Sequence, residues 1–169
     1  YVRSARIPTI NYIGIDAHVH DIRLETAWFH YDLTYATGAR EAYPFCPPYG
    51  YVRSDGINAI VYTAHNDPMP TNIRPHEFYL DNTGWHNYDL TSIPNALRGG
   101  YPIGYVRSDG VTAVIYRSLG GYVNEIRLER DGWQWADLTL IAGAPRGVYY
   151  LWPYNRSTVG SIYLPLILN

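Results

Sequence analysis

Lysine is missing from all 169 residues; the 13 basic residues are arginines, set against 15 acidic ones. The formal charge is −2 and there is no basic run, so the electrostatic footprint of a nucleic-acid-binding face is absent and nucleic acid is not an expected partner. Arginine used alone favours planar, bidentate contacts over point charges. Cys46 is the single cysteine, which excludes a disulfide within the chain and reads most simply as a buried thiol. No apolar run approaches the roughly 20 residues of a membrane span. No stretch reads as a signal peptide or as a convincing helix. The chain opens inside a repeat without an initiator methionine, which raises the expectation of a processed product or a piece of a longer chain. The compartment is open, with a secreted or cell-surface setting favoured.

Aromatic residues are plentiful by contrast, with 18 tyrosines and 5 tryptophans. They suit strands, and they also suit surfaces that hold sugars by stacking. They recur at fixed offsets. Tyr-Val-Arg-Ser opens at Tyr1, Tyr51 and Tyr105, and eleven residues later stands Tyr12, Tyr62 or Tyr116. An acidic residue follows at Asp21, Glu77 or Glu125, then a tryptophan at Trp28, Trp85 or Trp133. Four residues past each tryptophan comes Asp-Leu-Thr, at Asp32, Asp89 and Asp137. Such spacing marks an internal repeat.

The third copy shows the layout best. Tyr105–Arg107 is a short strand ended by Asp109-Gly110, a hairpin signal in which both turn residues are expected to take positive φ. Thr112–Tyr116 is apolar on both alternating faces and reads as a strand covered on both sides. Gly120-Gly121 turns into Tyr122–Leu128, and Asp131-Gly132 turns into Trp133–Thr139. A four-stranded antiparallel unit of about 50 residues, covered on both faces, describes a β-propeller blade. A β-trefoil is the runner-up because the copies number three; a sandwich leaves the repeat unexplained.

The fold class is therefore all-β, a propeller segment forming one repeat domain over 1–169. Unit one is 1–49, unit two 50–101, unit three 102–145, and 146–169 is a partial fourth. Unit one is the most degraded, with Ala5-Arg6-Ile7-Pro8 in place of Asp-Gly and a proline- and aromatic-rich exit over Glu41–Tyr49. Unit two carries extra residues in a loop expected over His65–Pro75. Three blades and a part cannot close a ring. Other chains or further sequence are expected to complete it, and open sheet edges and faces favour a homo-oligomer.

Two sets of residues could carry chemistry. Gly14-Ile15-Asp16-Ala17-His18-Val19-His20 resembles the strand-one metal motif of amidohydrolases, and alternation would put His18 and His20 on one face. That barrel needs alternating helices and a lysine ligand, and neither is found here. No cofactor or metal is expected, and His18 and His20 stand as weak metal candidates. The second set is repeated: Arg117, Glu125 and Trp133 in unit three. An arginine donates directed hydrogen bonds to sugar oxygens, a carboxylate accepts from hydroxyls, and an indole covers the apolar face of the ring. The competing reading is packing, with Glu125 paired to Arg127 or Arg107. Asp-Leu-Thr reads as a turn aspartate accepting backbone N–H groups.

The run Gly-Tyr-Val-Arg-Ser-Asp-Gly-Val-Thr-Ala-Val-Ile-Tyr-Arg over 104–117, then Tyr-Val-Asn-Glu-Ile-Arg-Leu and Asp-Gly-Trp, resembles the repeats of bacterial and fungal fucose-specific lectin-type β-propellers. The resemblance implies a non-enzymatic protein that binds fucosylated glycans in pockets between adjacent blades, through an arginine, a glutamate and an aromatic residue. It places these on Arg117, Glu125 and Trp133. Unit two keeps Glu77 and Trp85 but has Thr63 at the arginine position; unit one keeps Asp21 and Trp28 with Ile13 there. The alternative is a structural or assembly protein built from the same repeats.

Overall fold

The computed structural model describes residue 1, residues 7–65 and residues 72–147. The expected first turn of unit one, the tip of the unit-two loop and the tail from 148 lie outside the described residues. The rest forms three antiparallel meanders in chain order. The first has β1 (Thr9–Ile13), β2 (Val19–Leu24) and β3 (Trp28–Asp32). The second has β4 (Tyr49–Val52), β5 (Asn58–His65), β6 (Ile73–Asp81) and β7 (Gly84–Asp89). The third has β8 (Gly99–Val106), β9 (Thr112–Ser118), β10 (Val123–Glu129) and β11 (Gly132–Asp137). Tyr1 exchanges backbone hydrogen bonds with Thr9 in both directions, so the first residue lies beside β1 as β4 lies beside β5.

The turns follow local chemistry. Arg107 N–H donates to Val111 O and Gly110 N–H to Arg107 O, closing a tight turn that ends in a left-handed glycine at φ 83°. Asp109 Oδ1 accepts from Val111 N–H. The aspartate needs no positive φ of its own, contrary to the simple Asp-Gly expectation; the glycine alone supplies it. In unit two both strands extend into the expected loop: His65 pairs with Ile73, and Arg74 and Pro75 are strand residues. β8 begins at Gly99, inside the stretch that the repeat spacing gives to unit two, and carries a bulge between Gly100 and Ile103 with Tyr101 at φ 58°.

The sequence shows no convincing helix, yet α1 (Leu33–Thr37) and α2 (Leu138–Ala142) are single helical turns, and Leu90–Ser92 is a 3-10 turn in the same place. One turn is too short to leave a periodicity. Asp32, Asp89 and Asp137 cap them, accepting from Tyr35 N–H at 2.9 Å, Thr91 N–H at 2.8 Å and Leu140 N–H at 2.9 Å. The threonine of Asp-Leu-Thr has its own task. Thr34 Oγ1 accepts the N–H of Val19 at 2.9 Å, and Thr139 Oγ1 that of Val123 at 2.7 Å, satisfying the donor that opens the third strand. In unit two that position is Pro75, which has no N–H, and Thr91 instead accepts Arg74 Nη1 at 3.1 Å.

Side chains alternate across each strand, so every sheet has two faces. The face of unit two carrying Tyr51, Ala59 and Val61 packs on the face of unit three carrying Val114, Tyr116 and Ile126. The other face of unit two, with Ile60, Tyr62 and Phe78, packs on Val19, Leu33 and Ala42 of unit one. Strand β5 is therefore covered on both faces; β9 is covered by unit two on its Val114 and Tyr116 face, and Ala113 and Ile115 on its other face are also buried. Each such Val or Ile contributes about 1.5–3 kcal/mol when fully buried. Cys46, in the exit segment of unit one, is fully buried. Among the described residues no helix is long and apolar enough to cross a membrane.

Candidate functional site

Strand register decides which of the repeated residues can meet. Asn124, His76 and His20 pair with Asp137, Asp89 and Asp32, so Glu125, Glu77 and Asp21 occupy equivalent places. Arg117 pairs with Val123, Thr63 with Pro75 and Ile13 with Val19, so these too are equivalent. Arg117 and Glu125 share a face. Trp133, paired with Leu128, is on the opposite one. The three side chains of unit three do not form one pocket, because the sheet stands between them. Glu77 and Trp85 are separated in the same way.

Each glutamate is held by the first strand of its own unit. The Tyr51 hydroxyl donates to Glu77 Oε1, while Arg53 Nη1 stands 3.7 Å from Oε2. The Tyr105 hydroxyl donates to Glu125 Oε1 at 2.6 Å, and Arg107 Nη1 donates to Oε2 at 3.0 Å. The tyrosine reaches over the intervening strand at Ala59 or Ala113, both fully buried, where a larger side chain would block the path. In units two and three the Tyr-x-Arg of Tyr-Val-Arg-Ser is thus a clamp on the acidic residue. Arg127 also approaches Glu125, at 3.8 Å, so both pairings anticipated from sequence occur.

Burial pushes the Glu77 carboxyl up to about 7, against the Tyr51 hydrogen bond and the Arg53 charge, which pull it down. Burial and the neighbouring carboxylate raise the Tyr51 and Tyr105 hydroxyls as well.

What Glu77 faces lies across the seam in unit three. The Arg53 guanidinium sits 5.7 Å from the Trp133 ring centre and 5.9 Å from that of Tyr79, between the two. Glu77 Oε2 and Arg53 Nε are buried and make no hydrogen bond. A carboxylate oxygen, a guanidinium N–H and an indole are thereby gathered at one seam, with hydrogen-bonding capacity unspent. Sequence spacing alone missed Arg53, although its recurrence in Tyr-Val-Arg-Ser was visible.

The remaining nominated residues are placed elsewhere. Trp85 packs on the cluster between units one and two. Arg117 Nε donates to Gly147 O at 3.2 Å, so its face is approached by the chain leaving unit three. Thr63 is fully buried, its Oγ1 accepting from Tyr101 N–H at 3.1 Å, and the β8 bulge leaves no room for an arginine there. Asp21 is fully buried and accepts from Asn11 Nδ2 at 2.9 Å; Trp28 is 60% exposed. A recess of about 430 Å³ lined by Tyr1, Thr9, Asn11, Tyr49 and Gly50 contains none of the nominated residues.

His18 and His20 do fall on one side of unit one, ring centres 6.2 Å apart. His18 Nδ1 is 2.7 Å from Asp32 Oδ2, which raises the imidazole's affinity for its proton and lowers that of the carboxylate. His20 Nε2 is 3.1 Å from Asp16 Oδ1.

The sequence matches no protein-family model and no curated protein. The fold does have counterparts among solved structures. One is a mutant of AofleA from Arthrobotrys oligospora with three arginines replaced by alanine: TM-score 0.55, 12% identity, covering 81% of this chain and 40% of that one. Another is a fucose lectin from Kordia zhangzhouensis in complex with methyl-fucoside: TM-score 0.50, 11% identity, covering 80% of this chain and 94% of that one. The chain thus spans less than half the length of AofleA and nearly all of the Kordia lectin. The likeness is one of fold: an all-β chain of antiparallel sheets, three-stranded in unit one and four-stranded in units two and three among the described residues.

Proposed function

We propose that the protein is a non-catalytic, carbohydrate-binding β-propeller of lectin type, with fucosylated glycans as its ligand class. Each four-stranded unit is a blade, and the seam between blades two and three is the sugar site. The observation that carries this reading is the meeting of Glu77, Arg53 and Trp133 across that seam, with Glu77 Oε2 and Arg53 Nε free of hydrogen bonds. A sugar hydroxyl donates to the carboxylate, a ring or hydroxyl oxygen accepts from the guanidinium, and the indole covers C–H groups. The lectin-like fold supports it.

Arg107 and Glu125 form the same half of the next seam, with Arg117 added on that face, and its tryptophan would come from the following blade. Blade one's outer face completes the symmetry. Ile10 is 55% and Trp28 60% exposed on the side that, in blades two and three, meets the preceding blade. Another copy, or further repeats, covers it, giving several weak sites whose avidity supplies useful affinity.

A second reading is an assembly protein whose repeats only build a scaffold. It is favoured by the clamps on Glu77 and Glu125, which already engage both carboxylates. A glycan array separates the two: fucosylated glycans bound, and lost in a folded Trp133→Ala variant, support the lectin; no glycan bound by a folded assembly supports the scaffold.

A further inference from the structure

We propose that unit one carries a zinc site built from Asp16, His18, His20 and Asp32. Two pieces of chain converge on it, the turn running into β2 and the end of β3. Asp16 and His18 flank Ala17 in a tight turn, where Gly14 N–H donates to His18 O at 2.9 Å and Ala17 N–H to Gly14 O at 3.1 Å. Ala17 itself is left-handed, at φ 61°. His20 lies on β2, and the β2–β3 register sets it opposite Asp32.

The donor atoms of Asp16, His20 and Asp32 are spaced for one small cation, and His18 Nδ1 lies beside the two carboxylates. Asp16, His20 and Asp32 each present an atom within 4.8 Å of the others. His18 Nδ1 is 2.7 Å from Asp32 Oδ2 and 4.0 Å from Asp16 Oδ2, and His20 Nε2 is 3.1 Å from Asp16 Oδ1. Tetrahedral zinc with nitrogen and oxygen ligands holds them roughly 3.3 Å apart. Two imidazoles and two carboxylates form a mixed donor set that suits zinc over the all-oxygen cages of calcium or magnesium. A divalent ion also cancels the two negative charges brought together here.

Two further features support a binding site over simple pairing. His20 is 6% exposed, and its Nδ1 lies 2.9 Å from His30 Nε2. Donation from Nδ1–H to His30 leaves the Nε2 lone pair facing the carboxylates, the tautomer a metal requires. Gly14 keeps the space open. A Cβ there would stand 2.3 Å from Asp16 Oδ1 and 2.6 Å from His20 Nε2, although Gly14's φ lies outside the left-handed range. The glycine is needed for room at the cluster, not for backbone conformation. Zinc would staple the Gly14–His18 turn to the end of β3. The inference is independent of the sugar reading.

The test is zinc chloride titrated into the EDTA-stripped chain by calorimetry, with cobalt(II) absorption reporting geometry and circular dichroism the fold. One zinc per chain, a Kd below about 1 μM and a tetrahedral cobalt band are expected. His20→Ala and Asp32→Asn should weaken binding about 100-fold, and His30→Gln about 10-fold. His86→Ala, which removes the separate His86–Asp81 pair, should leave it unchanged. If His20→Ala does not fold, Asp16→Asn at the exposed side of the cluster replaces it. No zinc taken up by the folded parent at about 100 μM overturns the proposal, as does uptake that survives the ligand substitutions.

Discussion

The ring of Tyr51 occupies the place a side chain at Gly104 would take: a Cβ there would lie 2.2 Å from Tyr51 Cε1. Tyr1 stands to Gly50 in the same relation, at 2.0 Å from Tyr1 Cδ1. The tyrosine that opens one unit is thus seated on the glycine that precedes the tyrosine of the next. From that seat Tyr51 donates to Glu77, so one residue fixes the spacing between units and the carboxylate at the seam.

Gly104→Ala should therefore destabilise by about 1–3 kcal/mol through overpacking. Gly110→Ala, in open space at φ 83°, should cost about 1 kcal/mol, from backbone strain alone. Denaturant unfolding measures both costs, and glycan binding separates the two variants: only Gly104→Ala should also disturb it, because it displaces Tyr51 from Glu77. Equal binding by the two variants would detach the seat from the site.

Glu77 ionises near 7 in the folded chain, against an ordinary 4.5. Between those values the folded state holds a proton that the unfolded chain has released. Stability from this group is present at low pH and declines as pH rises through that window, by up to ~3 kcal/mol. Urea unfolding at pH 5 and pH 8 should show a smaller difference in Glu77→Gln than in the parent. Undiminished pH dependence in the variant would place the titration elsewhere.

The threonine of Asp-Leu-Thr should matter unequally. Thr139→Val strands the part-buried N–H of Val123 and should cost about 1–2 kcal/mol. Thr91→Val loses the contact from Arg74 and the hydroxyl's own donation to Asp89 Oδ1 at 2.6 Å but strands no N–H, since Pro75 offers none, and should cost about 1 kcal/mol. Thermal melts of the two variants provide the comparison.

The spacing of Tyr12, Asp21, Trp28 and their counterparts translated directly into strand register, because a constant offset between paired strands is what a repeated sheet requires. The aspartate of Asp-Leu-Thr was readable as a turn carboxylate accepting backbone N–H groups, though not as the cap of a helical turn. What spacing could not carry was the face. Trp133 is eight residues from Glu125 in sequence, yet alternation turns the two apart and sets Trp133 against Arg53 of the preceding unit. The His18 and His20 motif was visible as a pair, whereas Asp32 joins it only after the chain has turned back through β3. Thr63 in place of an arginine became intelligible only when β8 was found lying over it.

The central claim is a sugar site shared between units two and three. The measurement that bears on it most directly is a double-mutant cycle on fucoside affinity, combining Trp133→Ala with Glu77→Gln and, separately, with Glu125→Gln. A shared seam predicts that the first pair is coupled, by about 0.5–3 kcal/mol, while the second pair adds independently. Coupling of Trp133 to Glu125 with none to Glu77, or no fucoside binding by the folded parent, would contradict the account.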